Sequence, residues 1–237
     1  MRGGRRAGNR VTEGSAIPNP HSAIPNPREW GLYLVTDRAQ THGRNLLDVV
    51  DRALAGGVRA VQLREKDLPT LDLYRLAEKL LPRTQAAGAA LLINDRVDVA
   101  LALGADGVHL TRRSLPPAEA RALLGPSRIL GISCHAVAEV EEAAAGGADF
   151  VVLGPIFETP SKRPYGPPLG TSLLREARTR TALPLVAIGG ISPGRVPEVM
   201  AAGAHGVAVI SAVIAAPDPA AAARELLAAV AASRRGD

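Results

Sequence analysis

A regular alternation of short apolar stretches with longer segments of helical spacing constrains this sequence most. It starts at Gly31 and continues to the end of the chain. Short apolar stretches between turn residues are typical of buried parallel strands. Eight strands are predicted, at residues 31–37, 60–64, 90–94, 107–110, 129–134, 150–154, 184–190 and 206–211. Eight helices are predicted to follow them, at residues 44–55, 70–86, 95–103, 116–124, 136–145, 171–180, 194–201 and 218–232.

Small-residue turns recur where a predicted helix passes into the next strand, which makes the helix-turn-strand unit a repeat. The segments AGGVRAVQL, ALGADGVHL, AAGGADFVVL and MAAGAHGVAVI share this form. Glycine at such a turn supplies the left-handed cap that ends a helix. Strict alternation implies parallel strands, and eight units predict a closed (β/α)8 TIM barrel in one domain over residues 29–237. A doubly wound open sheet is the alternative.

The composition limits the core and the compartment. Hydrophobic residues make up 46% of the chain but aromatic residues only 3%, which predicts a core of Ala, Val, Leu and Ile. No apolar run reaches 18 residues, so no membrane span is expected. Cys134 is the one cysteine, which excludes an internal disulfide and fits the reducing cytoplasm.

The basic charge of the chain is concentrated at its start. Residues 1–28 carry five arginines and Glu13, a net charge of +4, which leaves +1 for the other 209 residues. The same segment repeats SAIPNP at 15–20 and 22–27, and its content of Pro, Asn and Gly predicts a disordered extension. The near-neutral remainder argues against a nucleic-acid partner, since such binding needs a basic face on the domain itself.

The second strand carries the most distinctive side chains, in AVQLREKD at residues 60–67. Alternation along a strand would place Gln62, Arg64 and Lys66 on one face, while Glu65 and the other residues between them point to the opposite face. Two cations at the mouth of a barrel would need an anion, such as a mono- or diphosphate. The alternative is that these cations pair with carboxylates of neighbouring strands.

Two further strand ends also predict anion binding. IGGIS after the seventh strand and VISAV after the eighth resemble the phosphate cup of such barrels, with Gly190 allowing close approach and Ser211 adding a hydroxyl donor. The alternative is a simple tight turn.

The end of the third strand predicts a magnesium site. Asn94 lies beside the cationic row, and Asp95 fits there if Mg²⁺ joins its carboxylate to phosphate oxygens. Asp95 as the N-cap of the following helix is the alternative.

The long loop at 154–170 is rich in Pro and Gly and carries Thr159, Ser161 and Lys162. Such a loop is typical of a lid, and its lysine would meet negative charge developing on a leaving group. An ordinary connector is the alternative. Two anion sites at one mouth predict two phosphorylated substrates, or one substrate with phosphates at both ends.

Several of these segments together carry a family resemblance. GLYLVTDR, VQLREKD, LLINDRVDVALALGADGVHL, GISCH, GPIFETPSK, IGGIS and VISAV, in that order, resemble the thiamine phosphate synthase and thiazole tautomerase superfamily over about residues 31–215. The resemblance implies a TIM-barrel transferase that joins an aminopyrimidine-methyl diphosphate to a thiazole phosphate and releases diphosphate with Mg²⁺. Its partners would be these two small molecules, with neither a membrane nor a nucleic acid, and the oligomeric state stays open, a homo-oligomer included.

The resemblance also implies roles for individual residues. The diphosphate and pyrimidine contacts fall on Gln62, Arg64, Lys66, Asn94, Ser133 and Lys162. The contacts to the thiazole phosphate fall on Thr159, Ser161, Gly190, Ile210 and Ser211. The magnesium aspartate falls on Asp95. The implied mechanism is dissociative, with the pyrimidine carrying a methylene cation that the thiazole nitrogen captures, so positioning and charge stabilisation dominate the rate.

One position departs from the family pattern. HLTRRSLP places Ser114 where synthases have a second magnesium aspartate. A hydroxyl is a poorer magnesium ligand than a carboxylate, which raises the related tautomerase as an alternative. That reaction needs neither diphosphate nor metal, and His135 would serve it as acid and base. A histidine with only a structural role is the alternative for His135. A barrel that binds phosphate without catalysis is a third alternative.

Overall fold

A computed structural model describes residues 26–159 and 167–235. Its strands form a closed parallel barrel in which the first strand pairs with both the second and the last, so the predicted (β/α)8 fold is confirmed. The strands are β1 Leu32–Val35, β2 Ala60–Leu63, β3 Ala90–Asn94, β4 Gly107–Leu110, β5 Ile129–Cys134, β6 Phe150–Leu153, β7 Leu185–Ile188 and β8 Gly206–Val209.

Helices cover the outside of the barrel. They are α1 Leu46–Ala55, α2 Thr70–Ala86, α3 Val97–Leu103, α4 Pro117–Leu124, α5 Val137–Ala145, α6 Gly170–Arg180, α7 Val196–Ala201, α8 Ser211–Ile214 and α9 Pro219–Arg234, with 3₁₀ turns at Arg38–Gln40 and Pro193–Arg195. Among the described residues no helix is both long and apolar enough to span a membrane.

Several predicted strands are too long at their carboxyl ends. The second ends at Leu63 rather than at residue 64, and the eighth ends at Val209 because Ser211 begins the short helix α8. Ladder pairing stops at Leu63 and at Val209, where the chain turns into the segments at the mouth. The polar residues after these strands therefore lie in loops or, for Ser211, at the start of a helix, rather than on strand faces.

The interior of the barrel corrects the prediction of a purely aliphatic core. Trp30, Tyr33 and Phe150 are buried together inside it, with the rings of Trp30 and Phe150 centred 5.0 Å apart and those of Tyr33 and Phe150 5.5 Å apart. The aliphatic residues form a second, larger layer between the barrel and the helices. Low aromatic content therefore coexists with an aromatic interior, because the few rings of the chain are concentrated there.

Gly131 makes room for this interior. Register pairs His109 of β4 with Gly131 of β5, and Gly131 with Phe150 of β6. A Cβ added at Gly131 would lie 2.3 Å from Phe150 Cζ and 2.8 Å from His109 Nδ1. Because Trp30 and Tyr33 pack against Phe150, its ring has little space in which to withdraw.

The segment before β1 contacts the end of the barrel at which the strands begin. Arg28 donates a hydrogen bond of 2.6 Å to the carbonyl oxygen of Ala182 and lies 3.2 Å from His205 Nε2. Residues 26–28 were included in the predicted disordered extension, and residues 1–25 of that extension lie outside the described residues.

Replacing Gly131 by alanine should destabilise the fold by overpacking, at a cost of about 1–3 kcal/mol in the free energy of unfolding. Urea denaturation measures this change. Gly194→Ala is the matched control, since its added Cβ would have no neighbour within 4 Å. Equal stability of the two variants would contradict the packing described here.

Candidate active site

The carboxyl ends of the strands define one mouth, and Gln62 and Arg64 lie at it. Gln62 is buried, and its Nε2 donates to the Tyr33 hydroxyl at 3.2 Å inside the barrel. Arg64 is half-buried, and its charge is one of the influences on the buried His109 ring, which places it near the interior. In the described part of the chain no carboxylate forms an ion pair with Arg64. The alternative of a carboxylate partner for Arg64 therefore finds no support in these residues.

The expected row of three side chains on one strand face is wrong, because β2 ends at Leu63. Only Gln62 of the three belongs to the strand, and Lys66 lies exposed in the following turn. Glu65, expected on the outer face together with Leu63, is buried like Leu63, at 6% exposure. Its carboxylate accepts hydrogen bonds from Thr36 Oγ1 at 2.6 Å and from the Arg38 backbone N–H at 3.0 Å.

The same contacts explain where Arg64 is held. Thr36 Oγ1 accepts a 2.9 Å bond from the Arg64 backbone N–H while donating to Glu65. The Arg38 guanidinium lies 3.3 Å from Glu65 and makes two 2.6 Å bonds to Asp67. These bonds tie the loop after β2 to the end of β1, so the charge of Glu65 is neutralised by Arg38 and not by Arg64.

Asp95 follows β3 in a strained backbone conformation, with a φ of 61°. Its Oδ2 accepts a 2.7 Å bond from Asn94 Nδ2, and its Oδ1 accepts a 3.1 Å bond from Thr111 Oγ1 and a bond from Ser114 Oγ. The N-cap of α3 is Arg96, without a side-chain capping bond. The alternative of Asp95 as a helix cap is therefore wrong, and its carboxylate faces the loop after β4 instead.

Ser114 is brought directly to Asp95. Besides that contact, its Oγ accepts a 2.7 Å bond from the Thr111 backbone N–H. A neutral hydroxyl thus lies against the carboxylate at the position where the family resemblance implies a second acidic residue. A donor here stabilises the negative charge of Asp95 without adding another charge.

The donor atoms around Asp95 fit a magnesium ion. Asn94 Oδ1 is buried and has no hydrogen-bond partner, and the hydroxyls of Thr111 and Ser114 lie against the Asp95 carboxylate. Oxygen ligands of this kind suit a hard cation. Within the described ranges no group of three or more His, Cys, Asp or Glu could hold a metal ion. A magnesium ion beside Asp95 would complete its coordination with neutral oxygens or with oxygens of a bound phosphate.

His109 has no predicted role, although it stands among the polar residues at the carboxyl end of the fourth strand. Its buried ring lies in β4, with Nε2 at 2.9 Å from Ser133 Oγ and Nδ1 at 3.3 Å from the Tyr33 hydroxyl. Burial lowers the pKa of His109 to about 3; Asp95 opposes this shift, and Arg64 adds to it. A polar residue at an inward position of the apolar stretch GVHL was the available signal.

His135 and Cys134, at the end of β5, have different surroundings. The exposed His135 ring lies 3.3 Å from Glu139 of α5, which also pairs with Arg112 at 3.3 Å. Cys134 is buried among the residues between barrel and helices, and burial raises the pKa of its thiol. This position explains Cys134 as a packing residue, while Ser133, its neighbour in β5, contacts the interior histidine.

The glycines after β7 adopt left-handed conformations, with φ of 99° at Gly189 and 66° at Gly190. A Cβ on Gly190 would lie 2.8 Å from the carbonyl oxygen of Glu158, so its missing side chain makes room for the loop after β6. Arg195 fixes this region, donating a 2.8 Å bond to the Gly190 carbonyl while lying 4.7 Å from the Phe157 ring centre. These observations support the tight-turn alternative for Gly190 without excluding an anion beside it.

The remaining residues predicted to bind the thiazole phosphate follow β6 and β8, the two strands that neighbour β7. Ile210 is half-buried after β8, and Ser211 is exposed at the start of α8. Thr159 is half-buried on the loop after β6. That loop is anchored to β7 by bonds from Ile156 N to Ile188 O at 2.8 Å and from Phe157 N to Gly189 O at 3.0 Å. Ser161 and Lys162 lie outside the described residues.

Comparisons with known proteins agree with this architecture. A chain of 54% identity over 200 residues, covering 84% of this chain and 94% of its own length, is the putative thiamine-phosphate synthase of Geobacter sulfurreducens. The thiamine-phosphate synthase of Roseiflexus castenholzii is 49% identical and covers 90% of this chain and 92% of its own. A solved structure, thiamine phosphate pyrophosphorylase from Pyrococcus furiosus, superposes with a TM-score of 0.80 at 36% identity, over 87% of this chain and 98% of its own.

The family model described as thiamine monophosphate synthase matches residues 32–213, which include all eight strands and the mouth between them. Together with relatives of about half identical sequence, this match shows that the chain belongs to the thiamine monophosphate synthase family.

Proposed function

We propose that this protein condenses 4-amino-2-methyl-5-(diphosphooxymethyl)pyrimidine with a thiazole phosphate, giving thiamine phosphate and diphosphate. It is an enzyme of thiamine biosynthesis, a transferase, as its family and its relatives support. The observation that carries the assignment is Arg64, a cation without a carboxylate partner among the described residues, held at the mouth of the closed barrel near Asp95 and His109.

The reaction begins with departure of diphosphate. The bond between the methylene carbon and the bridging oxygen breaks, and its electron pair goes to diphosphate. Arg64 stabilises this charge, with the following side chains as further contacts to the diphosphate or the pyrimidine: Gln62, Lys66, Asn94, Ser133 and Lys162. Charge-assisted hydrogen bonds to a leaving polyanion strengthen as the bond breaks, so they lower the barrier rather than only bind substrate.

Capture completes the reaction. The lone pair of the thiazole nitrogen forms the new bond to the methylene carbon, whose positive charge the amino-substituted pyrimidine has carried. No proton needs to move, so orientation of the two rings replaces acid–base chemistry. Thr159, Ser161, Gly190, Ile210 and Ser211 bind the thiazole phosphate and hold its nitrogen toward the pyrimidine.

Asp95 is the residue that would hold Mg²⁺, with diphosphate oxygens completing its ligands. When bound, the ion neutralises part of the negative charge of the leaving group. The strained backbone of Asp95 and its contacts to Asn94, Thr111 and Ser114 keep the carboxylate at this place.

The tautomerase alternative rests on Ser114, which gives the site one carboxylate rather than two. For that reaction His135 would exchange protons with a thiazole carboxylate phosphate. The exposed His135 ring lies 3.3 Å from Glu139 of α5. The observation that favours the synthase is Arg64, which has no carboxylate partner in the described ranges. We further propose a cytoplasmic location and no nucleic-acid partner. Whether the protein forms a homo-oligomer is a question for a measurement of its mass in solution.

An assay with both substrates should release diphosphate only when Mg²⁺ is present. Excess chelator should abolish turnover, and addition of Mg²⁺ should restore it, because the charge of the leaving group would otherwise remain uncompensated at Asp95. Diphosphate release and thiamine phosphate formation should be equal. Isomerisation of a thiazole carboxylate phosphate that persists in chelator and is lost in His135→Ala would identify the tautomerase instead.

Arg64→Ala should lower kcat by about 10²-fold or more, since it removes a donor from the developing diphosphate. Arg64→Lys should keep part of the activity by retaining the charge without the planar fork. Arg59→Ala is the control: this exposed arginine stands just before β2, at the end of the strand away from the mouth. Near-normal turnover of Arg64→Ala, with the fold intact by circular dichroism, would reject the assigned role.

Ser114→Asp should couple stability to magnesium. A second carboxylate against Asp95 adds like-charge repulsion that a divalent cation relieves, so Mg²⁺ should raise the Tm of this variant more than that of the wild type. Ser114→Asn, which is neutral and of similar size, should respond like the wild type. A magnesium titration that is the same in all three proteins would contradict a cation site at Asp95.

A further inference from the structure

A continuous series of hydrogen bonds crosses the interior of the barrel below the mouth. Gln62 Nε2 lies 3.2 Å from the Tyr33 hydroxyl, which lies 3.3 Å from His109 Nδ1, and His109 Nε2 lies 2.9 Å from Ser133 Oγ. The four residues come from β2, β1, β4 and β5. Gln62, Tyr33 and His109 are each no more than 3% exposed, whereas Ser133 is half-buried at the mouth.

All hydrogen bonds of this series donate in one direction, and the Gln62–Tyr33 bond determines which direction that is. The Tyr33 oxygen accepts the amide N–H of Gln62, and a buried phenol also needs an acceptor for its own proton. Burial raises the pKa of Tyr33, so the phenol keeps that proton. The acceptor beside it is His109 Nδ1.

The same donor-to-acceptor direction continues through the His109 ring. A neutral imidazole carries one N–H, and an Nδ1 that accepts from Tyr33 leaves the proton on Nε2. The ring is neutral because it is buried against the rings of Tyr33 and Phe150, with centroids 5.8 Å away in both cases. Nε2–H therefore donates to Ser133 Oγ, and the serine hydroxyl retains its own proton for another acceptor.

We propose that Tyr33 and His109 are positioning residues that fix Ser133 as a hydrogen-bond donor toward an acceptor atom of the pyrimidine substrate. The opposite direction would make Ser133 donate to His109 and present only lone pairs at the mouth, where it would meet a donor such as an amino group. The hydrogen-bond direction thus decides which edge of the ring Ser133 recognises. This inference rests on the proposed function for the identity of the substrate.

The tautomer of His109 tests the inference without turnover. In the full chain labelled with ¹⁵N-histidine, long-range ¹H–¹⁵N correlations should show the Nε2–H form, the resonances being assigned by their loss in His109→Gln. Tyr33→Phe, which removes the donor to Nδ1, should leave this form no longer fixed. An Nδ1–H tautomer in the wild type would overturn the proposal, and because this spectrum does not depend on activity, failure of the proposed function is detected separately by absence of diphosphate release.

A matched pair of variants tests the consequence for catalysis. Glutamine can place its amide N–H where imidazole Nε2–H lies, whereas the shorter asparagine reaches only the Nδ1 position. His109→Gln should keep kcat/KM for the pyrimidine substrate within about 3-fold, and His109→Asn should lower it about 10-fold, the worth of one hydrogen bond. The KM for the thiazole phosphate should be unchanged in both. Equal losses in two variants of equal Tm would show a merely structural histidine and overturn the proposal.

Discussion

Closure of the parallel ladder is the constraint on which the rest of this structure depends. Leu32 and Leu34 of β1 pair in register with Val207 and Val209 of β8, so the sheet has no free edge. Because all strands run in the same direction, every carboxyl end opens at one mouth. Residues as distant in sequence as Thr36 and Ser211 are thereby brought to the same end of one small cylinder.

Below that mouth, the interior is built in layers with different chemistry. Trp30, Tyr33 and Phe150 fill the lower part, and Gly131 provides the space that their rings need. The Tyr33 hydroxyl and the His109 ring then lead from this apolar layer to polar atoms above it. An apolar floor strengthens the electrostatic interactions of the mouth, because it excludes water from one side of them.

Charge at the mouth is divided between fixed pairs and available groups. Glu65 is buried but satisfied by Thr36 and Arg38, which makes it part of the scaffold. Arg64 is held through its backbone by the same Thr36 while its guanidinium has no carboxylate partner in the described ranges. The sequence does not distinguish the paired Glu65 from the available Arg64, because both lie in one short polar run and the backbone turns after Leu63.

The sequence by itself determined the eightfold alternation, the barrel and the polar residues at its mouth, because the period of apolar residues and the glycine turns are local properties of the chain. The tertiary structure alone decided which neighbours these residues have. It buried Glu65 against Thr36 and Arg38, bonded Ser114 to Asp95 rather than leaving Asp95 to cap α3, and joined His109 to Tyr33 and Ser133. Those contacts join residues from different strands and loops, and their distances depend on strand register and barrel closure, which no local pattern encodes.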